Sequence, residues 1–261
     1  MKKIVLFLAF VLGFGAAAFS YENTYAVIVG VSQYKDPDNN LNYASKDAML
    51  FRNFLMSEEG GSVPAENICF LINSDATKEN IVKNAKALFA KANKKDRVIF
   101  YFSGHGGRSF FAPHDYEFGR NKLSYADLKE IFQNAKSMTK LIFADACFSG
   151  GLKGNRGASE DDGEEEKQLK MNIAVMLSCK SEETSLEITG GNIDQGLFTY
   201  YLIKGLGGEA NRDGNGFITI QELFYYVYAN VAEVSDMMEH EQHPQLFGKF
   251  DLRLIVGKDL K

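Results

Sequence analysis

The sequence is poor in proline and cysteine, with only 4 and 3 of these residues among its 261. A low proline content beside 24 glycines excludes a collagen-like or mucin-like polymer. Three cysteines cannot build a disulfide framework, and an odd number leaves at least one thiol free in a monomer. Apolar residues make up 45% of the chain, which is enough for one sizeable core, so a single globular domain is predicted.

Basic residues are fewer than acidic residues. The chain has 29 Lys and Arg against 34 Asp and Glu, a formal net charge of -5. This sign opposes general nucleic-acid binding, which depends on contacts between cations and phosphates. We therefore expect partners with basic residues, and no nucleic acid.

The first twenty residues have the pattern of an export signal. Two lysines precede the uncharged run Ile4–Phe19, which ends in small residues. This order predicts a secretory signal peptide cleaved after Ala18 or after Ser20. A retained single-span anchor is the alternative, but the apolar run is short for a bilayer. We expect an exported protein, periplasmic or secreted, with no membrane attachment in its mature form.

The remaining chain alternates between two periodicities. Apolar runs predict strands buried on both faces at Tyr25–Ser32, Asn67–Asn73, Arg97–Ser103, Lys140–Asp145, Ile173–Ser178 and Phe250–Ile255. Helical periodicity marks Tyr43–Glu58, Thr77–Ala92, Ser124–Asn134, Gly196–Leu206 and Thr219–Val234. The alternation predicts a three-layer α/β fold, with a mostly parallel central sheet of about six strands and helices on both faces. The aromatic segment Gly106–Gly119 is interpreted as a small hairpin.

One stretch, Gly150–Lys170, cannot contribute to a core. Four glycines precede a run with six acids from Glu160 to Glu166. It is either a solvated connection or a linker that is processed, and composition alone favours the first.

Two predicted strands end in residues suited to nucleophilic catalysis. His105 follows the third strand and Cys147 follows the fourth, and neighbouring parallel strands bring such ends together. A thiol is only slightly ionised at neutral pH, so an adjacent imidazole must take its proton. The pair predicts Cys147 as nucleophile, His105 as base and then acid, and the main-chain N–H groups of Gly106 and Cys147 as oxyanion donors. Taken singly, the histidine could satisfy a turn and the cysteine could be buried as a small apolar residue.

These motifs resemble those of the caspase-like cysteine peptidases, on the bacterial metacaspase or orthocaspase side. The motifs are Ser103-Gly104-His105-Gly106 and Asp145-Ala146-Cys147-Phe148-Ser149-Gly150, with the cysteine 42 residues after the histidine. Other similar segments are Tyr25–Gly30, Gly196–Gly205, His243–Gln245 and Phe250–Leu252. The resemblance implies a caspase-like fold with His105 and Cys147 as the catalytic dyad. It also implies a catalytic domain over residues 21–261, divided into a large-subunit-like part at 21–152, an acidic linker at 153–170 and a small-subunit-like part at 171–261.

Substrate specificity follows from two carboxylates. Asp145 lies two residues before Cys147, so both side chains leave the strand on the same side. By the resemblance, Asp47 lines the primary pocket and Ser103 supplies a hydroxyl beside it. Two carboxylates in one pocket repel each other unless a cation lies between them, which predicts cleavage after Arg or Lys. The alternative for Asp47 alone is a solvated helix carboxylate.

Several positions depart from the family pattern or stay open. Ala44 and Ser181 replace a cysteine and an acid that are common in relatives. Cys179 is either a core thiol or a redox partner of Cys147, and the core is favoured because a disulfide would silence the nucleophile. Cys69 is expected in the core.

A possible calcium loop runs from Asn211 to Glu222. The twelve-residue pattern matches positions 1, 3, 5, 6, 8 and 12 of the calcium loop. The competing interpretation needs no metal, because Asp-Gly-Asn-Gly also forms a tight turn and Thr219 with Glu222 forms a helix capping box. Calcium is therefore expected only as an activator or structural ion, not in the chemistry.

The predicted function is that of an exported cysteine endopeptidase, which could process itself within 153–170 after a basic residue. A catalytically silent binding or signalling module on the same fold is one alternative. A cysteine transpeptidase or ligase is another, since an amine can intercept the acyl-enzyme. The oligomeric state is not predicted.

Overall fold

The structure is a computed structural model that describes residues 21–107, 109–117, 119–147, 173–190 and 193–260. The predicted signal peptide and the 153–170 linker lie outside these residues. No helix in the described ranges is both long enough and apolar enough to cross a membrane.

The strands and helices follow the alternation that the sequence predicts. The strands are β1 (Thr24–Gly30), β2 (Ile68–Ile72), β3 (Arg97–Gly107), β4 (Phe110–Phe111), β5 (Leu123–Ser124), β6 (Thr139–Cys147), β7 (Ala174–Leu177), β8 (Glu187–Ile188), β9 (Gln195–Gly196), β10 (Phe217–Thr219), β11 (Gln245–Gly248) and β12 (Ile255–Lys258). The helices are α1 (Ala44–Met56), α2 (Lys78–Phe89), α3 (Tyr125–Gln133), α4 (Leu197–Lys204) and α5 (Ile220–Met237).

The main sheet is mostly parallel. Its order is β11-β7-β6-β3-β1-β2, and only β11 pairs antiparallel along this path. The short strand β4 pairs antiparallel with the end of β3 and forms the hairpin predicted for Gly106–Gly119, and β5 pairs with β4. Parallel strands of this kind place their carboxyl ends at one edge of the sheet, which is where the candidate site lies.

Alternate residues of each central strand face opposite helical layers. On β3, Phe100 and Phe102 pack in the core that contains α2 and α3. Ile99 and Tyr101 pack in the second core, with α1, α4 and α5. The sheet therefore has a helical layer on each face, which is the three-layer arrangement predicted from the buried strand pattern.

The last predicted strand was wrong. Phe250–Leu254 is not a strand but contains a turn at Leu252 and Arg253, where the carboxylate of Asp251 accepts the main-chain N–H of Arg253 at 2.9 Å and competes with strand pairing. The sixth strand of the main sheet is instead β11, and β12 pairs with β10 in a separate two-stranded sheet. Four half-buried residues in β11 are too few to show a strand period.

Candidate active site

His105 and Cys147 lie directly opposite each other on β3 and β6. The parallel ladder between these strands runs from Arg97 with Thr139 to His105 with Cys147. Both strands continue past their predicted ends, so the two residues belong to the ladder instead of following it. Paired strands lie about 4.8 Å apart, and the main chains of the two residues are therefore immediate neighbours.

The His105 side chain is held by a main-chain carbonyl. Its Nε2 lies 2.8 Å from the oxygen of Asn39. A carbonyl oxygen can only accept, so Nε2 carries the proton and Nδ1 keeps a basic lone pair. Burial lowers the pKa of the His105 imidazole from its ordinary value of 6.5, and the hydrogen bond to Asn39 opposes this shift. The imidazole is therefore neutral and able to accept a proton at neutral pH.

Tyr34 fixes the backbone at this position. Its hydroxyl accepts the main-chain N–H of His105 at 2.7 Å, and the two rings lie 5.1 Å apart. Gly104 has a φ of +155°, and a Cβ there would lie 2.8 Å from the Tyr34 hydroxyl. The glycine before the histidine is thus required by close packing.

The N–H of Gly106 faces away from β4. Ala112 donates its main-chain N–H to His105 at 2.9 Å, and Gly106 is the register partner of Phe111. Hydrogen-bonded and non-hydrogen-bonded pairs alternate along an antiparallel ladder. Gly106 is therefore in a non-hydrogen-bonded pair, and β4 does not use its N–H.

Ser178 holds the end of β6 in front of Cys147. Its hydroxyl accepts the N–H of Ala146 at 3.1 Å and donates to the carbonyl of the same residue at 3.1 Å. Its own N–H donates to Ala144 at 2.9 Å. These bonds extend the contact between β6 and the β7 end by two residues beyond the ladder, which ends at Ala144.

Asp47 and Ser103, the two residues that the resemblance assigns to the primary pocket, are in contact. Asp47 lies on α1 and is 2% exposed, so it is not a solvated helix carboxylate. Its Oδ2 accepts the hydroxyl of Ser103 at 3.0 Å, and its Oδ1 accepts the N–H of Gly196 at 2.9 Å.

Asp145 is buried on the same side of the sheet. Its Oδ2 accepts the N–H and hydroxyl of Thr199 at 3.1 and 2.7 Å, and its Oδ1 accepts the hydroxyl of Ser185 at 2.8 Å. On the sheet, Asp145 is the register partner of Ser103. Helix α4 therefore orients this carboxylate through its first turn.

The two carboxylates converge at Gly196. A Cβ on this glycine would lie 2.3 Å from Oδ2 of Asp145 and 2.9 Å from Oδ2 of Asp47. Burial, and then repulsion by Asp145, raise the pKa of Asp47 well above its ordinary value. Burial also raises the pKa of Asp145. Within the described residues, both are held by neutral donors and neither is ion-paired.

Glu187 adds a third negative charge beside this pair. It accepts the N–H of Tyr43 at 3.0 Å and the side-chain amide of Asn42 at 3.2 Å. After the larger effect of burial, its charge contributes to raising the pKa values of Asp47 and Asp145. The sequence offered no signal for this residue, because β8 has only two residues.

Gln242 is fully buried behind the pocket and ties together the loop that supplies Ser185. Its Oε1 accepts the N–H of Leu186 at 2.9 Å. Its Nε2 donates to the carbonyl of Ser178 at 3.1 Å and to the hydroxyl of Ser185 at 3.3 Å. This residue was missed, although it directly precedes the His243–Gln245 segment that carries part of the family resemblance.

Neither Cys69 nor Cys179 forms a disulfide among the described residues. Cys179 is fully buried and its Sγ lies 3.5 Å from the carbonyl of Glu183, as a core thiol should. Cys69 is only partly buried, contrary to expectation, because β2 is the edge strand of the sheet. Burial raises the pKa of its thiol, which keeps it protonated. No group of three or more His, Cys, Asp or Glu in the described part of the chain is placed to hold a metal ion.

Comparison with known proteins agrees with this architecture. The profile of the peptidase C14 family, described as the caspase domain, matches residues 23–253. A probable protease of a Desulfuromonadales bacterium is 27% identical over 214 residues, which is 72% of this chain and 26% of that protein. The chain therefore spans about a quarter of the length of this curated relative.

Solved structures share the fold. Caspase-1 from Spodoptera frugiperda has a TM-score of 0.63 at 15% identity, and the match covers 93% of each chain. A protein from Geobacter sulfurreducens has a TM-score of 0.59 at 17% identity, with 88% of this chain and 94% of the other covered. At such low identity the likeness concerns the fold alone, and it confirms the three-layer caspase-like architecture.

Proposed function

Because this chain belongs to the caspase-domain family of C14 peptidases, we propose that it is a cysteine endopeptidase that cleaves after Arg or Lys. The observation that carries the proposal is the register of β3 and β6, which pairs His105 with Cys147. A silent module has no need of a neutral, buried imidazole beside a cysteine.

The proposed reaction has two acyl-transfer steps. Nδ1 of His105 takes the thiol proton of Cys147, and the thiolate attacks the scissile carbonyl carbon. The N–H groups of Gly106 and Cys147 stabilise the oxyanion. The C–N bond then breaks as His105 returns the proton to the leaving amine. Water, deprotonated by His105, hydrolyses the thioester and restores the thiol.

The basic specificity rests on Asp47 and Asp145. Both are buried, both point towards Gly196, and repulsion between them makes full ionisation costly. A guanidinium or ammonium group of the substrate supplies the missing positive charge, and Glu187 increases the attraction. An aspartate side chain in the same place would add to the repulsion, so acidic substrates are rejected.

A panel of fluorogenic peptides tests the proposal. We expect cleavage when Arg or Lys precedes the reporter and none when Asp does. Cys147→Ala and His105→Ala should each lower kcat/KM by at least about 10³-fold. Equal cleavage after Asp would contradict the specificity, and unchanged rates in Cys147→Ala would contradict the nucleophile. Product masses separate hydrolysis from amine transfer by a ligase.

We also propose that the enzyme is exported and processes itself within 153–170. The signal-like N-terminus supports the first, and the basic residues that flank the acidic run support the second. N-terminal sequencing of the mature protein should start at residue 19 or 21. A Cys147→Ala chain that is still cut within 153–170 would exclude self-processing.

A further inference from the structure

Asn211 carries an unsatisfied polar atom. Its Oδ1 is the buried side-chain atom without a hydrogen-bond partner among the described residues. The amide orientation is fixed, because Nδ2 donates to Oδ2 of Asp259 at 2.9 Å. The reversed amide would place its oxygen against that carboxylate. A buried acceptor without a donor is unfavourable, so this oxygen is suited to a cation.

The same residue is the first of the twelve-position calcium loop. The loop continues with carboxylate or amide oxygens at positions 3, 5 and 12, which are Asp213, Asn215 and Glu222. Position 7, Phe217, would contribute its main-chain carbonyl. The orphan oxygen therefore belongs to the residue that this pattern requires as its first ligand.

The backbone matches the pattern at its conformational positions. Gly216, at position 6, has a φ of +83°, in the region that favours glycine and that permits the sharp turn. Positions 7 to 9 form the short strand β10, and α5 begins at position 10. Glu222 therefore lies in the first turn of α5, where the twelfth ligand belongs.

The capping box explains Glu222 when no ion is bound. Its Oε2 accepts the N–H and the hydroxyl of Thr219 at 2.9 and 2.7 Å. This use is compatible with calcium binding, because only a change in side-chain torsions is needed to turn the carboxylate into the loop. The capping box accounts for Glu222 and Thr219 but does not account for the buried Oδ1 of Asn211.

We propose that the loop Asn211–Glu222 binds calcium. The ligands are Asn211 Oδ1, Asp213, Asn215, the Phe217 carbonyl and both oxygens of Glu222. All are oxygen atoms, which calcium prefers, and the mixture of amides and carboxylates suits its flexible coordination better than that of magnesium. With only two charged ligands, the affinity falls in the weak class, with a Kd on the order of 10⁻⁴ to 10⁻³ M.

The test uses the full chain carrying Cys147→Ala, so that no proteolysis disturbs the measurement. Thermal unfolding is followed with chelator, with about 10 mM calcium and with the same concentration of magnesium. We expect calcium, and not magnesium, to raise the unfolding midpoint. Asp213→Asn should raise the calcium Kd by about tenfold, because it removes one of the two charged ligands.

Glu222→Gln tests the other charged ligand. Glutamine keeps the capping box with Thr219 but cannot bind calcium with two anionic oxygens, so the Kd should rise at least about tenfold. Glu233→Gln, an exposed change on the same helix, should leave it unaltered. If Glu222→Gln does not fold, calorimetric titration of Asp213→Asn against its parent decides. The same Kd in both, or no calcium-dependent shift in the parent, would overturn the site.

Discussion

Asp47 and Asp145 direct their carboxylates at one glycine, although a helix supplies the first and a strand supplies the second. A Cβ on Gly196 would meet an oxygen of each at 2.9 and 2.3 Å, respectively. The glycine thus allows both carboxylates to lie against its main chain, where any side chain would collide with them. The absence of a side chain here is as much a part of the proposed pocket as the acids are.

Gly196→Ala should therefore inactivate the enzyme without unfolding it. The added methyl group displaces Asp145 and narrows the pocket, and we expect kcat/KM for arginine substrates to fall on the order of 10²-fold. Gly207→Ala is the matched control, because its Cβ would make ordinary contacts at 3.6 Å or more. Equal activity of both variants in the fluorogenic assay would show that Gly196 does not border the pocket.

Asp47→Asn tests the charge without removing the packing. The amide can still accept from Gly196 and can donate to the Ser103 hydroxyl, so the buried contacts are kept in number. We expect kcat/KM for arginine peptides to fall on the order of 10²-fold. The rate for peptides with citrulline, the neutral counterpart, should change little. A similar loss for both peptides would point to a structural role.

The raised pKa values of Asp47 and Asp145 predict opposite pH effects on binding and stability. An ionised pair is needed to hold a cation, so KM for arginine peptides should rise as the pH falls through the raised pKa. A raised folded-state pKa gives stability below the ordinary value of 3.8 that is lost as the pH rises through the folded-state value.

Chemical denaturation across this pH range checks the sign. The free energy of unfolding should decrease from mildly acidic to neutral pH, and Asp47→Asn should make that decrease smaller. Asp236→Asn, an exposed change on α5, serves as the control. A wild-type stability that rises over this range by as much as it does in Asp47→Asn would argue against a costly ionisation at Asp47.

The pKa of the His105 imidazole should determine the acid limb of the pH profile of kcat/KM. Because burial lowers the pKa of His105 from 6.5, the limb for a substrate with an uncharged side chain should lie below that value. An acid limb above 6.5 would contradict the neutral base.

Tyr34→Phe removes the acceptor of the His105 N–H, and should lower the free energy of unfolding by about 1 to 3 kcal/mol.

Gln242 lies behind the proposed pocket, and its substitution should weaken substrate binding. Gln242→Met keeps the volume but leaves the N–H of Leu186 and the carbonyl of Ser178 without this partner. We expect the free energy of unfolding to fall by about 1 to 3 kcal/mol for each such group. Because Ser185 orients Asp145, KM for arginine peptides should rise more than kcat falls. Equal effects on arginine and citrulline peptides would reduce Gln242 to a packing role.

The central strands and helices could be predicted because their patterns are local. Buried parallel strands such as β3 and β6 contain continuous apolar runs, Val98–Phe102 and Leu141–Ala144, and α2 has a clear apolar face. The strand β11 could not be predicted, since its four residues are half-buried. The turn after Asp251 lies where a strand was predicted, because the Asp251 carboxylate accepts the main-chain N–H of Arg253.

The candidate site also contains some residues that could be predicted from the sequence and others that could not. His105 and Cys147 could be predicted because each ends an apolar run in a glycine-rich context. Gly196 and Gln242 could not, since their contacts are visible only in three dimensions. The main-chain N–H of Gly196 donates to Asp47, which lies 149 positions away in the sequence, and no local sequence pattern predicts a contact over that separation.

Covalent labelling tests the account most directly. The protein is incubated with a peptidyl-arginine chloromethyl ketone, and the modified residue is located by peptide mass spectrometry. We predict that Cys147 is alkylated, that Cys69 and Cys179 are not, and that His105→Ala abolishes the labelling. The matching peptidyl-aspartate reagent should not react. Labelling of Cys69 or Cys179 in place of Cys147, or equal reaction with the aspartate reagent, would contradict the account.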